Sequence, residues 1–198
     1  AILFDKPAVA SLDIRGGGPG TRDSALLDPV NTVDGIDGIA LAGGSAFGLD
    51  AAGGMQGWLA EQGRGFAIAD ALIPIVPGAI VFDLLNGGNK KWGRFSPYRD
   101  LGYAAAAAAG DRFALGTVGA GYGATTVNYK GGIGSASAEL PNGVRVAAIA
   151  VTNAVGSVTV GDGPWFWAAP FETDGELGRY GTPPAYRKEM LEMRIKGG

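Results

Sequence analysis

The sequence predicts an α+β fold, and three stretches carry that prediction. Ile36–Gly63 reads as an apolar strand, a Gly-Gly corner and a helix of small residues; Ser96–Gly110 reads as a second helix; Gly134–Val151 reads as a β-hairpin. A single domain spanning 1–198 is expected, with two domains as the alternative, and a hydrophobic content of 46% is ample for a packed core.

The organising stretch is Ile36–Gly63. Ile39–Ala42 is a short apolar run closed by Gly43 and Gly44, which permit a tight turn. The helix that follows shows Phe47, Ala51, Met55, Trp58, Leu59 and Gln62 at helical spacing, with Ser45 as N-cap and Asp50 near the positive end of the helix dipole. Gly63 stops it. Gly48, Gly53, Gly54 and Gly57 each weaken a helix by roughly 1 kcal/mol relative to alanine, so close packing against a neighbouring backbone is expected to compensate.

Before this unit, Ala8–Arg15 alternates apolar and polar residues as a half-buried strand does, and Gly16–Asp34 is a connection. After it, Phe66–Ile68 and Ala79–Leu84 are strand candidates separated by Pro74 and Pro77. Ser96 as N-cap, Pro97 at N1, an alanine-rich interior and Gly110 at C′ define the second helix. The hairpin turns at Pro141-Asn142-Gly143; Gly156–Val160 is a third strand, Pro164–Pro170 an aromatic loop and Ala185–Lys196 a short helix. Gly197-Gly198 then ends the chain without a closing strand.

Composition excludes several functions. The net charge of −3 and the lack of a basic cluster argue against nucleic acid and anionic membrane as partners. No apolar run approaches a membrane span of about 20 residues, and a cytoplasmic location is the expectation. With no cysteine and no histidine, the chain by itself cannot build a Cys-His dyad, a Ser-His-Asp triad or a histidine- or thiolate-ligated metal site, and no metal or cofactor is expected. Thr117–Ser137 is glycine-rich but lacks the lysine-hydroxyl pair of a phosphate loop. Ser45 is not a nucleophile elbow, because Phe47 stands where that motif has glycine and no imidazole is available.

Val9–Thr21, Ile39–Ala52, Pro74–Asp83, Gly119–Ser137 and Ala150–Gly156, in this order, resemble the L-aminopeptidase/D-esterase (DmpA) family, whose relatives include β-aminopeptidases and nylon-oligomer hydrolases. The resemblance implies a four-layer αββα sandwich of the type also found in ornithine acetyltransferases, similar in architecture to N-terminal-nucleophile hydrolases. It implies a precursor that cleaves itself into α and β chains, with the new N-terminal Ser or Thr of β as nucleophile. On that resemblance this sequence is the α chain, beginning after an additional N-terminal strand pair and ending near the cleavage point. Its expected partners are the β chain, further αβ units in a homo-oligomer and a small peptide or amide substrate.

The same resemblance assigns the site. Asn153 is expected to direct its amide at the oxyanion, and a terminal amine of pKa about 7.7–8.0 replaces the missing imidazole as base. Asn128 stands where relatives often have a lysine that organises the nucleophile, so either this neutral amide or Lys130 takes that task. At Phe82 the better-studied aminopeptidases of the family have a tyrosine that assists the oxyanion, and at Ile80 a glutamate that grips the substrate amine; neither residue here can do so. Gly43, Gly44 and Ser45 are candidate pocket-lining residues, with Ser45 chiefly a helix cap. Trp92, with Trp165 and Trp167, is a candidate apolar wall or else a packed aromatic. The alternatives are a catalytically silent assembly protein on this fold and an acyltransferase on a related self-cleaving scaffold.

Overall fold

In the computed structural model, residues 1–196 are described, and Gly197-Gly198 lies outside them. The centre is a four-stranded sheet in the order β1-β3-β6-β2, formed by β1 (Ile2–Ala8), β2 (Thr21–Arg22), β3 (Ile36–Ala42) and β6 (Gly78–Ile80). β1 and β3 are antiparallel, β3 and β6 parallel, and β6 and β2 antiparallel. The chain covers this sheet with helix α1 (Asp50–Glu61), against which helix α2 (Tyr98–Ala107) packs. Two hairpins stand apart from the sheet: β4 (Phe66–Ile68) with β5 (Ala71–Ile73), and β7 (Ile133–Glu139) with β8 (Arg145–Val151).

The core is small and built from short side chains. Ala40 of β3, Ala52, Met55 and Leu59 of α1, Val76 and Ala106 of α2 form one buried cluster, with Leu3 and Trp58 packed on it. Asp37, 2% exposed at the start of β3, accepts the Ile75 N–H at 2.9 Å and lies 3.9 Å from the Arg64 guanidinium. Its own N–H donates to Ile75 O at 2.8 Å, so β3 is tied to the segment entering β6 from both ends of one residue. Arg64 also donates to Phe4 O, which fastens the end of α1 to β1.

Close packing accounts for some of the helix glycines and not for others. A Cβ on Gly54 would lie 1.9 Å from Arg99 O, and a Cβ on Gly102 would lie 2.0 Å from Ala51 O. The α1 and α2 backbones therefore touch reciprocally, which only hydrogen at those positions permits. Gly57 faces open space and has no such reason. Gly53 meets only the ends of the Arg22 and Arg99 side chains. Of the apolar stripe, Ala51, Met55 and Leu59 are buried, whereas Phe47 is 53% exposed. Gln62 is exposed too.

Other elements differ from expectation. The first strand is Ile2–Ala8, not Ala8–Arg15; the alternating segment is irregular, and Val9, Leu12 and Ile14 stand exposed. Alternation marks a ribbon with two unlike faces, but nothing among the described residues covers the apolar one. β6 ends at Ile80 rather than Leu84, β5 forms between the two strand candidates where none was expected, and β2 pairs with β6 inside the stretch read as a connection. Gly156–Val160 forms no strand and makes only an isolated bridge between Thr159 and Phe166. Within Ala185–Lys196 the helix is reduced to a 3-10 turn, Lys188–Leu191.

Helix α1 itself starts at Asp50, after the 3-10 turn Ser45–Leu49. Ser45 is not its cap: the residue at that turn's N-cap is Gly44, and no side chain caps the turn. In α2, Pro97 occupies the N-cap position, while the Ser96 hydroxyl is buried without a hydrogen-bond partner. The C-cap is Ala108, which puts Gly110 one residue beyond C′. The stop at Gly63 and the Asn142-Gly143 turn match the sequence reading: Gly63 has φ 67° with its N–H on Ala60 O, and Gly143 has φ 80° with its N–H on Leu140 O.

These packing differences predict opposite responses to one methyl group. Gly54→Ala is expected to destabilise the protein by about 1–3 kcal/mol through a backbone clash, and Gly57→Ala to stabilise it by about 0.5–1 kcal/mol through helix propensity. Urea unfolding of the two variants checks both signs.

Candidate active site

The chain leaves β3 and β6 side by side, and their parallel exits build the site. Val81 N–H donates to Ala42 O at 2.9 Å, and Ser45 N–H donates to Val81 O at 3.1 Å. This pairing lays Ile80–Asp83 along the Gly43-Gly44-Ser45 corner. Gly44 at φ 83° and Ser45 at φ 53° are both left-handed, so the corner turns sharply before the 3-10 turn begins.

Asp83 locks the corner. Its Oδ1 accepts the Gly44 N–H at 2.7 Å. Its Oδ2 would lie 2.2 Å from a Cβ on Gly43 and 2.4 Å from a Cβ on Gly123. The carboxylate is thus wedged between the corner and the 119–125 loop, in space that alanine at either position would take. Asn86 adds a second tie, donating to Gly123 O at 3.0 Å.

Asn153 enters from the turn after β8. Its Oδ1 accepts the Phe82 N–H at 3.1 Å and the Lys196 ammonium at 3.3 Å. Lys196 also donates to Phe82 O at 3.0 Å and lies 5.8 Å from the centre of the Phe82 ring, itself 37% exposed. With its oxygen engaged by two donors, the Asn153 carboxamide presents its Nδ2 donor at an exposed position. Burial pulls the Lys196 ammonium below the ordinary lysine range, and the Asp83 carboxylate acts in the opposite direction.

An aromatic wall flanks the corner. Trp92 makes edge contacts with Phe47 at 5.3 Å and with Tyr98 at 5.8 Å. The Tyr98 ring lies over Gly44, where a Cβ would be 2.1 Å from its Cζ. Burial raises the Tyr98 phenol above its ordinary value, and the Asp83 charge adds to that. Ile80 is turned into packing against Gly20 and Gly48 and brings no charge to the site. A cleft of about 990 Å³ runs between the sheet, the helices and the 108–122 segment; it shares Gly43 and Tyr98 with this group and is not lined by Asn153.

The structure therefore brings together Gly43, Gly44, Ser45, Ile80, Phe82, Trp92 and Asn153 from the sequence-predicted set. Asn128 belongs to a separate cluster of hydroxyls. Its Nδ2 donates to Thr159 Oγ1 at 2.9 Å and its Oδ1 accepts from Ser157 Oγ at 2.8 Å, an arrangement that holds the 157–161 turn. Lys130 is exposed and bridges through its backbone to Thr125. Trp165 and Trp167 make backbone hydrogen bonds that close that same turn onto Val160 and Val158. Sequence reasoning missed Asp83, Tyr98 and Lys196. Asp83 ends the Pro74–Asp83 motif, and that was the one available signal for it; nothing local marks the other two.

Residues 1–175 match the model of peptidase family S58. The chain belongs to peptidase family S58. Two relatives, each named "uncharacterized aminopeptidase", come from Mycobacterium bovis and Mycobacterium tuberculosis; each is 53% identical over 157 residues, covering 79% of this chain and 44% of the relative. The chain thus spans less than half the length of these curated relatives. The S58 match contains every residue of the site described above except Lys196. Among the described residues, no helix is long and apolar enough to cross a membrane.

The electrostatic link between Asp83 and Tyr98 is testable. Tyr98, read as the difference between the native protein and Tyr98→Phe in an ultraviolet titration, should ionise above the ordinary value of 10.0, and Asp83→Asn should move it partway back down. Because the folded phenol has the raised pKa, its stabilising contribution is present below pH 10 and is lost as pH rises through the folded value.

Proposed function

We propose that this chain is the α subunit of a self-cleaving amide and peptide hydrolase whose Ser or Thr nucleophile is the N-terminus of a β chain from the same precursor. The observation that carries the reading is the Asn153 carboxamide, anchored through Oδ1 on the Phe82 N–H at 3.1 Å, in a chain of peptidase family S58. An amide so anchored has its NH₂ group free to donate to a developing oxyanion.

The nucleophile's own α-amine serves as base, with a reference pKa of about 7.7–8.0, which suits a chain without histidine. Attack on the scissile carbonyl forms the acyl-enzyme and releases the amine; water then releases the acid. The β chain completes the four-layer αββα sandwich, and αβ units assemble into a homo-oligomer. The exposed apolar side chains Val144, Val146 and Ile149 of β8 and its turn are consistent with such a covering. Phe82 contributes its peptide N–H to Asn153 Oδ1 and has no hydroxyl to offer the oxyanion where the family resemblance places a tyrosine. Asn128 and Lys130, placed elsewhere, take no part in this proposal.

The substrates are small peptides or oligoamides. Ile80 carries no charge with which to grip a substrate ammonium, so a free amine is not required for binding. The processed enzyme should hydrolyse N-acylated amides at rates comparable with the free-amine forms. A strong preference for the free amine in a competition assay would overturn that specificity.

Intact-mass measurement of the full-length protein should show a second, smaller polypeptide beginning with Ser or Thr. Asn153→Ala should lower turnover or self-cleavage by roughly 10²–10³-fold. A near-normal rate in that variant removes Asn153 from the chemistry.

A further inference from the structure

Lys196 occupies a place that the oxyanion role of Asn153 does not by itself explain. Its ammonium donates to Asn153 Oδ1 at 3.3 Å and to Phe82 O at 3.0 Å, and its charge lies 5.8 Å from the centre of the Phe82 ring. Among the described residues it forms no ion pair.

The donor and acceptor chemistry of this arrangement is restrictive. The Phe82 N–H can only donate, and so can an ammonium. A carboxamide meeting both must use its oxygen for both, since its NH₂ group offers no acceptor. Turning the amide over would set Nδ2 against two donors at once. With the Phe82 N–H alone, the second lone pair of Oδ1 would face water, and an exposed asparagine is then held by a single bond.

The lysine also fixes the other partner. By accepting from Lys196 through its carbonyl and donating to Asn153 through its N–H, residue 82 is gripped on both sides of its Cα. Asp83 holds the next residue against the corner. The three residues Phe82, Asn153 and Lys196 therefore close a small ring of hydrogen bonds, with the Asn153 Nδ2 as its outward donor.

We propose that Lys196 is a positioning residue that fixes the orientation of the Asn153 carboxamide, so that its Nδ2 faces the reacting carbonyl oxygen; this inference rests on the hydrolase reading above. Lys196 itself does not touch the substrate. Its loss leaves binding intact and weakens an interaction made in the transition state, so it lowers kcat while sparing KM.

The test uses the full-length, self-processed protein and p-nitroanilides of small amino acids, free and N-acylated. Lys196→Met keeps the stem and removes the donors; it should lower kcat by about tenfold with KM within about twofold, a fraction of the loss expected for an oxyanion donor itself. Lys196→Arg, which retains charge and donors, should recover most of the rate. Because both residues act through one amide, Lys196→Met should add less than about twofold to the loss already caused by Asn153→Ala. Lys196→Leu serves as a second donor-free variant if Lys196→Met unfolds at lower temperature than the native protein.

A kcat within about twofold of native in the neutral variants, or a full additional loss on top of Asn153→Ala, overturns the positioning role. Those results leave the hydrolase reading standing as long as Asn153→Ala is itself severely impaired. An unimpaired Asn153→Ala sinks the earlier reading instead.

Discussion

The site depends on one carboxylate. Asp83 accepts the Gly44 N–H at 2.7 Å and fills the space between Gly43 and Gly123, so three segments distant in sequence meet at a single side chain. A charge-assisted hydrogen bond of this length is among the stronger polar contacts available to a protein. Its value here is geometric: it fixes the path of residues 80–83 beside the corner, and the Phe82 peptide that holds Asn153 is the neighbour of Asp83 in the chain.

The parallel pairing of β3 and β6 explains why this corner is where chemistry can be built. Parallel strands finish at the same edge, so the loops leaving them lie together, and the connection between them must travel over the sheet. That connection contains α1, whose Gly54 and the facing Gly102 of α2 bring two helix backbones into contact. Close packing of α2 in turn lays Tyr98 over Gly44 and brings Trp92 against it. The small-residue helix and the aromatic wall are consequences of the same crowding. Gly43, Gly44, Gly54, Gly102 and Gly123 record backbones and side chains that approach closely.

Legibility in the sequence followed the range of the interactions. The strand, corner and small-residue helix of 36–63, the alanine-rich second helix and the 141–143 hairpin turn are set by local patterns, and the structure has them. Ala8–Arg15 misled because alternation reports a segment with two unlike faces, whereas strand formation also needs a partner for its backbone; the sheet takes Ile2–Ala8 instead, despite Asp5, Lys6 and Pro7. Ser45 and Ser96 look like caps from composition alone, but Gly44 and Pro97 occupy those places and neither hydroxyl caps its helix. Asn153 stands just past a strand, as read, yet its partner lies 71 residues away, and Lys196 reaches Phe82 across 114. No window of sequence contains such a pair. Asn128 shows the converse: a polar residue in a suggestive motif is occupied in holding Ser157 and Thr159 together.

In the function proposed above, the Asn153 amide nitrogen faces the reacting centre because its oxygen is held from behind. A crystal structure of the processed full-length protein, with its nucleophile bound covalently to a tetrahedral boronate, tests this directly. A boronate oxygen is expected about 3 Å from Asn153 Nδ2, with Oδ1 still on the Phe82 N–H. An adduct whose oxygen is held by other donors, with Asn153 turned away from it, would contradict the account.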